Sequence, residues 1–88
     1  MYIPTAFTPN GDNLNDVFEI VAFNIQDFNI LIFDRWGKLL YESSDPNFQW
    51  DGTFDGNPVS EGVYTFVVDA TSLDGTRERR AGTVTIYR

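Results

Sequence analysis

The 88-residue sequence contains neither cysteine nor histidine. Without cysteine the chain can form no disulfide and offers no thiolate to a metal. Without histidine it lacks the side chain that most often acts as a general base, binds a transition metal or activates a nucleophile. These two absences argue against catalysis, and we predict a protein that is not an enzyme and has no catalytic residues.

Positive charge is also scarce, since six lysines and arginines stand against thirteen aspartates and glutamates, for a net charge of −7. An acidic protein repels polyanions, so we expect neither nucleic acid nor an anionic membrane as a partner. The scarcity is uneven, because residues 1–76 carry twelve acidic side chains against Arg35 and Lys38, whereas residues 77–88 carry four arginines beside Glu78. The basic segment either pairs with acidic neighbours in the fold or is recognised by its charge.

No apolar run reaches the ~18–20 residues of a transmembrane helix, and no leader peptide is recognisable. If the protein is exported, we expect its targeting segment to precede residue 1. Aromatic residues, by contrast, are abundant, at 16% of the chain. Because each aromatic side chain buries a large area, they suit the thin core of a two-layer domain. We predict that residues 1–88 form one domain.

Apolar and polar residues alternate with a period of two in several segments, and no segment shows the period of a helix. The Asp45–Pro58 stretch is rich in turn residues, and we expect it to cross between two sheets. The predicted strands are Val17–Ala22, Phe28–Phe33, Lys38–Glu42, Val63–Thr71 and Arg77–Tyr87. This pattern is typical of an all-β, immunoglobulin-like β-sandwich of about seven antiparallel strands. A small barrel is the structural alternative.

Two short segments have the composition of hairpin turns. Asp34-Arg35-Trp36-Gly37 ends in a glycine, which can adopt the positive φ of a bulge residue. Asp74-Gly75 matches the composition of a two-residue hairpin loop. We therefore expect each segment to join two antiparallel strands that are consecutive along the chain.

Three groups of motifs, taken in order along the chain, carry a family resemblance. They are Phe7-Thr8-Pro9-Asn10-Gly11-Asp12-Asn13-Leu14-Asn15-Asp16 with Phe18; Ile32-Phe33-Asp34-Arg35-Trp36-Gly37 with Tyr41-Glu42-Ser43; and Trp50-Asp51-Gly52, Gly62-Val63-Tyr64 and Gly82-Thr83-Val84-Thr85-Ile86 up to Arg88. Each motif alone is unspecific. Together they resemble the gliding-motility-associated C-terminal domain of Bacteroidota, also called the type B sorting domain of the type IX secretion system. The resemblance covers the chain from Ile3 to Arg88.

The resemblance implies a signal domain at the C-terminus of a large secreted surface protein such as an adhesin. It implies passage through the periplasm, export by the type IX translocon, and display at the cell surface or release. It also implies dependence on an outer-membrane protein of the PorP/SprF type. We expect the isolated domain to be monomeric and without a membrane-spanning segment. The alternatives are an accessory immunoglobulin-like module that binds Ca²⁺ or a glycan, and a purely structural spacer.

Oxygen-bearing side chains crowd the loop that follows Pro9. Asn10, Asp12, Asn15 and Asp16 are the candidate ligands for Ca²⁺, because this hard cation prefers oxygen ligands. The spacing does not match an EF-hand loop. The alternative is that these side chains accept hydrogen bonds from the loop backbone, as in Asx-turns. No other cofactor is expected.

Partner recognition is predicted at two places. One is the hairpin tip with Arg35, Trp36 and Gly37, and the other is the last strand, with Arg79, Arg80 and Arg88, because arginine binds carboxylates and phosphates in a bidentate manner. An open sheet edge could also accept a partner strand through main-chain hydrogen bonds. The sequence does not show which edge is open.

The two tryptophans allow two interpretations. Trp36 and Trp50 could form an aromatic platform for sugar rings, or they could lie in the core or close an end of the sandwich. We favour the second interpretation for both, because Trp36 lies in a tight turn and Trp50 opens the crossing segment.

Overall fold

The computed structural model describes residues 1–9 and 16–87, and the structure of this part of the chain is all-β. Seven strands follow one another in these described residues. They are β1 (Ala6–Phe7), β2 (Ile25–Phe33), β3 (Leu39–Ser43), β4 (Thr53–Phe54), β5 (Asn57–Pro58), β6 (Gly62–Ser72) and β7 (Arg77–Ile86). Within the described residues, no helix is long and apolar enough to cross a membrane. The prediction of an all-β fold with about seven strands is confirmed.

Five of the strands form one sheet in the order β1-β7-β6-β2-β3, while β4 and β5 form a small two-stranded sheet. All pairings are antiparallel except one, since β1 runs parallel to β7, with Ala6 beside Thr85 and Phe7 beside Ile86. This pairing departs from the predicted antiparallel arrangement. Parallel strands need a long connection, and here β1 and β7 lie near opposite ends of the described sequence.

A less regular layer covers one face of the five-stranded sheet. Its segments pair through single bridges, Tyr2 with Val21 and Phe18 with Trp50. The predicted strand Val17–Ala22 is therefore not a continuous strand, although its alternation was assigned correctly: Phe18 and Ile20 are buried while Glu19 is exposed. The two layers give a sandwich-like architecture consistent with an immunoglobulin-like fold.

The core fills the space between the two layers and is built from aromatic and branched side chains. Its buried members are Phe7, Phe18, Ile20, Phe28, Ile30, Ile32, Phe48, Trp50, Tyr64, Phe66, Val68, Ala70, Val84 and Ile86. On β2, β6 and β7 they occupy every second position, which is the period of a half-buried strand. This confirms the predicted inward face of β6.

Tyr64 ties the start of β6 to the segment before it. Its ring is buried, and its hydroxyl donates a hydrogen bond to the carbonyl oxygen of Ser60, four residues earlier. A tyrosine that bonds back to the chain near the start of a strand is the tyrosine corner of immunoglobulin-like sandwiches. The predicted Gly62-Val63-Tyr64 motif therefore has a structural role in this corner.

Both long hairpins use the same turn. In the β2–β3 hairpin, Asp34 N–H donates to the Lys38 carbonyl (3.0 Å) and Gly37 N–H to the Asp34 carbonyl (3.1 Å). In the β6–β7 hairpin, Ser72 N–H donates to the Thr76 carbonyl and Gly75 N–H to the Ser72 carbonyl, each at 2.9 Å. The β6–β7 loop thus has three residues between the bonded pair, not the two that Asp74-Gly75 predicted. The turn places its glycine at φ near +80 to +90°, which an L side chain rarely adopts.

Asp74 should titrate at unusually low pH. The Ser72 hydroxyl, and then the Thr76 backbone and side chain, donate hydrogen bonds that lower the pKa of Asp74 from 3.8 to about 2. Because the folded-state pKa is lowered, the stabilising contribution is complete above pH ~4 and is lost as the pH falls through ~2. The carboxyl-carbon NMR shift of Asp74 should follow this pKa, and a midpoint near 3.8 would contradict the turn geometry.

Gly82 should not tolerate a larger side chain. A Cβ atom at this position would lie 3.1 Å from Cζ of Phe66, the buried ring on the neighbouring strand. We expect Gly82→Val to lower the free energy of unfolding by about 1–3 kcal/mol, the usual range for overpacking a core, as measured by urea denaturation. Thr83→Val, on the exposed side of the same strand, is the matched control and should be nearly neutral. Equal effects of the two substitutions would argue against close packing at Gly82.

Candidate functional site

The tip of the β2–β3 hairpin is held by one aspartate. A carboxylate oxygen of Asp34 accepts hydrogen bonds from the backbone N–H groups of Trp36 (2.8 Å) and Lys38 (2.9 Å). Gly37 completes the turn with φ +83°. These bonds satisfy the backbone locally, as an Asx-turn does. The tip is therefore a defined turn that presents Arg35 and Trp36 in a fixed backbone geometry.

Trp36 projects from this tip into solvent. Its side chain is 83% exposed, the highest value among the large apolar residues described. The Arg35 guanidinium carbon lies 5.8 Å from the centre of the indole ring, within range of a weak cation–π contact. The expectation that Trp36 closes an end of the sandwich is wrong, because the turn directs this side chain away from the core.

A cleft of about 260 Å³ lies beside the tip. Its walls come from the β2–β3 hairpin and from the segment that leads into β6, where the tyrosine corner is formed. The lining residues are Asp34, Arg35, Trp36, Leu40, Val59, Ser60, Gly62, Val63 and Tyr64. The local sequence around Leu40, Val59 and Ser60 does not identify them as site residues, because it does not show that these segments meet. The cleft offers a mixed polar and apolar surface next to an exposed indole.

Trp50 is placed in the opposite environment. Its side chain is 1% exposed, and its indole N–H donates to the Thr53 carbonyl oxygen at 3.0 Å. Its ring packs against Phe7, Tyr41 and Tyr64, with centroid distances between 5.7 and 6.3 Å. The prediction of a core role is confirmed for this residue. The two tryptophans therefore do not share a platform on which a sugar could stack.

Two arginines of β7 pair with acidic side chains close to them in the sheet. Arg80 contacts Glu78 at 2.7 Å, and Arg79 lies 4.0 Å from Asp69 on β6. All four side chains are at least 40% exposed. Exposed pairs of this kind contribute about 0–1 kcal/mol each. They explain part of the basic segment as local charge pairing.

The predicted recognition residues do not form one cluster. Phe33, where the β2–β3 tip begins, is level with Thr65 of β6 and Thr83 of β7. Arg79 lies four residues before Thr83, or about 13 Å along the strand. The hairpin tip and the β7 arginines thus lie toward opposite ends of the sheet. Arg88 lies outside the described residues.

The predicted Ca²⁺ ligands fall almost entirely outside the described part of the chain. Asn10, Asp12 and Asn15 are not described, whereas Asp16 is described and is half-buried. Residues 1–9 and 16–87 hold no group of three or more acidic side chains that could bind a metal.

Comparison with known protein families agrees with the sequence motifs and with the sandwich-like fold. No curated protein matches the sequence. The CHU_C type IX secretion signal domain family matches residues 1–86, which is nearly the entire chain. This match confirms the resemblance to the type B sorting domain, and the family is one of sorting signals, not of enzymes. On its sequence motifs, its sandwich-like fold and this match, the chain belongs to the CHU_C family of type IX secretion signal domains.

Proposed function

We propose that this non-catalytic signal domain is the C-terminal domain of a larger secreted protein. It directs that protein from the periplasm through the type IX translocon to the cell surface or the medium. The family match supports the signal function and the use of the type IX machinery. The place at the C-terminus and the final location are what the resemblance to the type B sorting domain implies, and the family match supports export through this system.

The recognition element that we propose is the β2–β3 hairpin tip with its adjoining cleft. The observation that carries this proposal is the exposure of Trp36, 83%, on a turn whose backbone is fixed by Asp34. Large exposed apolar side chains cost solvation in the free protein, and tryptophan and arginine are enriched among the residues that dominate binding energies. A fixed turn also loses little conformational entropy when a partner binds.

Charge supports the same site. Arg35 and Lys38 are the only basic residues of positions 1–76, so the tip is a positive point on an acidic body. The Lys38 ammonium lies 4.4 Å from the centre of the Phe54 ring, which places its charge toward β4. Arg35 stands at the rim of the cleft. A partner that fits would offer a carboxylate to Arg35 and an apolar surface to Trp36.

We assign this partner to the outer-membrane proteins of the PorP/SprF type. The assignment rests on the family of the domain, because a type IX secretion signal interacts with the secretion machinery. In solution, without this partner, we expect the domain to be monomeric.

An export assay tests the proposal. Residues 1–88 are fused behind a signal peptide and a fluorescent carrier in a Bacteroidota host, with the PorP/SprF-type protein co-expressed. The carrier should reach the surface or the medium in the competent strain and remain in the periplasm of a type IX-deficient strain.

Two controls make the assay specific. Omitting the PorP/SprF-type protein should retain the carrier in the periplasm, and a fusion with the domain between the signal peptide and the carrier should not be exported. Periplasmic retention of the wild-type fusion, despite a folded domain and the partner present, would contradict the proposed function. Export from the internal position would contradict the proposed placement at the C-terminus, whereas a purely structural spacer would export the carrier from neither position.

A further inference from the structure

The two edges of β7 differ in how much of their backbone pairs with a neighbouring strand. On one side, β7 pairs with β6 along its whole length, from Arg77 to Ile86. On the other side, it pairs with β1 only at Thr85 and Ile86. In the part of the chain that the structure describes, no strand pairs with this second side of β7 between residues 77 and 83. We call this stretch, residues 77–83 of β7, the open edge.

Three hydrogen bonds, located at the two ends of the β6–β7 hairpin, show which backbone groups of β7 point toward the open edge. The N–H groups of Thr85 and Tyr87 donate to Thr5 and Phe7, on the β1 side. At the opposite end of the β6–β7 hairpin, Ser72 N–H donates to the Thr76 carbonyl. In the antiparallel pairing of β6 with β7, pairs of even-numbered residues are therefore the hydrogen-bonded pairs.

The β6–β7 register runs without a shift from Thr71–Arg77 to Gly62–Ile86. The even-numbered residues of β7 therefore bond to β6 along the whole hairpin. The odd-numbered residues direct both their N–H and their C=O away from β6. The odd-numbered residues on the open edge are Arg77, Arg79, Ala81 and Thr83. Their backbone donors and acceptors form a ready template for another strand.

The side chains along this edge define what would fit. Arg77, Arg79, Ala81 and Thr83 are all exposed, and they lie on the sheet face opposite the buried Val84 and Ile86. Ala81 and Thr83 are small and leave room for a neighbouring strand. Arg79 is only 4.0 Å from its acidic neighbour Asp69, with 72% of its side chain exposed, so it can also reach a second carboxylate.

We propose that the open edge of β7 accepts an extended, carboxylate-bearing segment of the type IX machinery as an additional strand of the sheet. This inference rests on the proposed function and adds a second contact to the one at the hairpin tip. Main-chain hydrogen bonds supply affinity in strand addition, and alternate side chains supply specificity. The acidic residues of the added strand face Arg77 and Arg79.

A second copy of this chain fits the same edge less well. Pairing β7 with β7 would bring two sets of arginines into neighbouring strands, and like charges in facing positions destabilise a sheet. An acidic segment gains from the same arginines.

Proline and valine at Ala81 provide the first test. Ala81→Pro removes the N–H that points to the open edge but leaves the bonds to β6, and proline is tolerated where a strand N–H faces solvent. Ala81→Val changes the side chain and keeps the N–H. We expect Ala81→Pro to be exported at least tenfold less than Ala81→Val, with a retained melting transition in both variants. Normal export of folded Ala81→Pro would overturn the inference while leaving the proposed function intact.

Amide hydrogen exchange tests the same inference without a mutation. The wild-type domain is measured by NMR alone and bound to the purified outer-membrane type IX complex in detergent. The amides of Arg77, Arg79, Ala81 and Thr83 should exchange rapidly in the free domain and gain protection in the complex. The amides of Arg80 and Gly82, bonded to β6, should be protected in both. Unchanged exchange at the odd-numbered positions in the complex would overturn the inference.

Two further outcomes are informative about the occupant. Arg77→Glu with Arg79→Glu should reduce export at least tenfold, and unchanged export would refute the carboxylate-bearing partner. Protection of the odd-numbered amides that rises with the concentration of the free domain would instead assign the edge to a second copy. If the wild-type fusion itself is not exported, the proposed function is contradicted. If the wild-type fusion is exported and the variants are exported equally well, only the inference about the open edge is contradicted.

Discussion

Replacing Trp50 with alanine should lower the free energy of unfolding by about 3–5 kcal/mol and move the urea midpoint to a clearly lower concentration. Truncating a buried tryptophan or phenylalanine costs about 3–5 kcal/mol, and the Trp50 side chain is 1% exposed among three aromatic rings. A domain of 88 residues has a total stability of about 4–13 kcal/mol, at roughly 0.05–0.15 kcal/mol per residue. The truncation therefore removes a large fraction of the domain's free energy of unfolding.

Urea denaturation followed by far-UV circular dichroism measures this effect. Trp50→Phe is the comparison variant, because it keeps an aromatic ring but loses the hydrogen bond to the Thr53 carbonyl. We expect it to be less destabilising than the alanine variant. A midpoint for Trp50→Ala within experimental error of the wild type would show that the ring is not part of the core.

Replacing Trp36 with alanine should abolish most of the export and leave the fold intact, in contrast to the loss of stability expected for Trp50→Ala. The side chain is 83% exposed, so its removal should change the free energy of unfolding by less than about 1 kcal/mol, including the weak contact with Arg35. If Trp36 dominates the recognition site, its truncation costs at least ~2 kcal/mol of binding, or ~30-fold in affinity. The fluorescent carrier should then accumulate in the periplasm.

The chain offers two controls for Trp36. Phe23 is an aromatic side chain of similar exposure, 80%, away from the hairpin tip. Leu73, 65% exposed, occupies the β6–β7 turn, which has the same backbone hydrogen bonds as the β2–β3 turn. Phe23→Ala and Leu73→Ala should both be exported normally. If they fail to the same extent as Trp36→Ala, general surface hydrophobicity, and not the tip, would be what the machinery recognises.

The two tryptophans show where local sequence is sufficient and where it is not. Both lie in turn-rich segments, and the sequence predicted a core or end-closing role for each. The prediction is correct for Trp50, whose indole finds its hydrogen-bond partner three residues later. It is wrong for Trp36, because the outward direction of a turn side chain depends on which way the hairpin bends relative to the second layer.

Strand alternation was predictable to the level of single residues. The buried positions of β6 and β7 follow from the period of two, since a one-residue slip would move every apolar side chain to solvent. The Val17–Ala22 segment shows the limit of this rule. Its alternation correctly identifies the buried face, but the segment pairs only through single bridges at Phe18 and Val21. The pattern of buried residues shows which face of a segment is turned to the core. It does not show with which segment the backbone pairs.

Short-range patterns of residue type were sufficient to predict four properties: the fold class, the inward faces of the main strands, the two hairpins and the family. The tertiary structure alone decided the parallel pairing of β1 with β7, the cleft formed by the β2–β3 tip and the segment before β6, and the open edge of β7. Each of these depends on which distant segments meet. Such contacts arise from the packing of the whole core, and no local pattern encodes them.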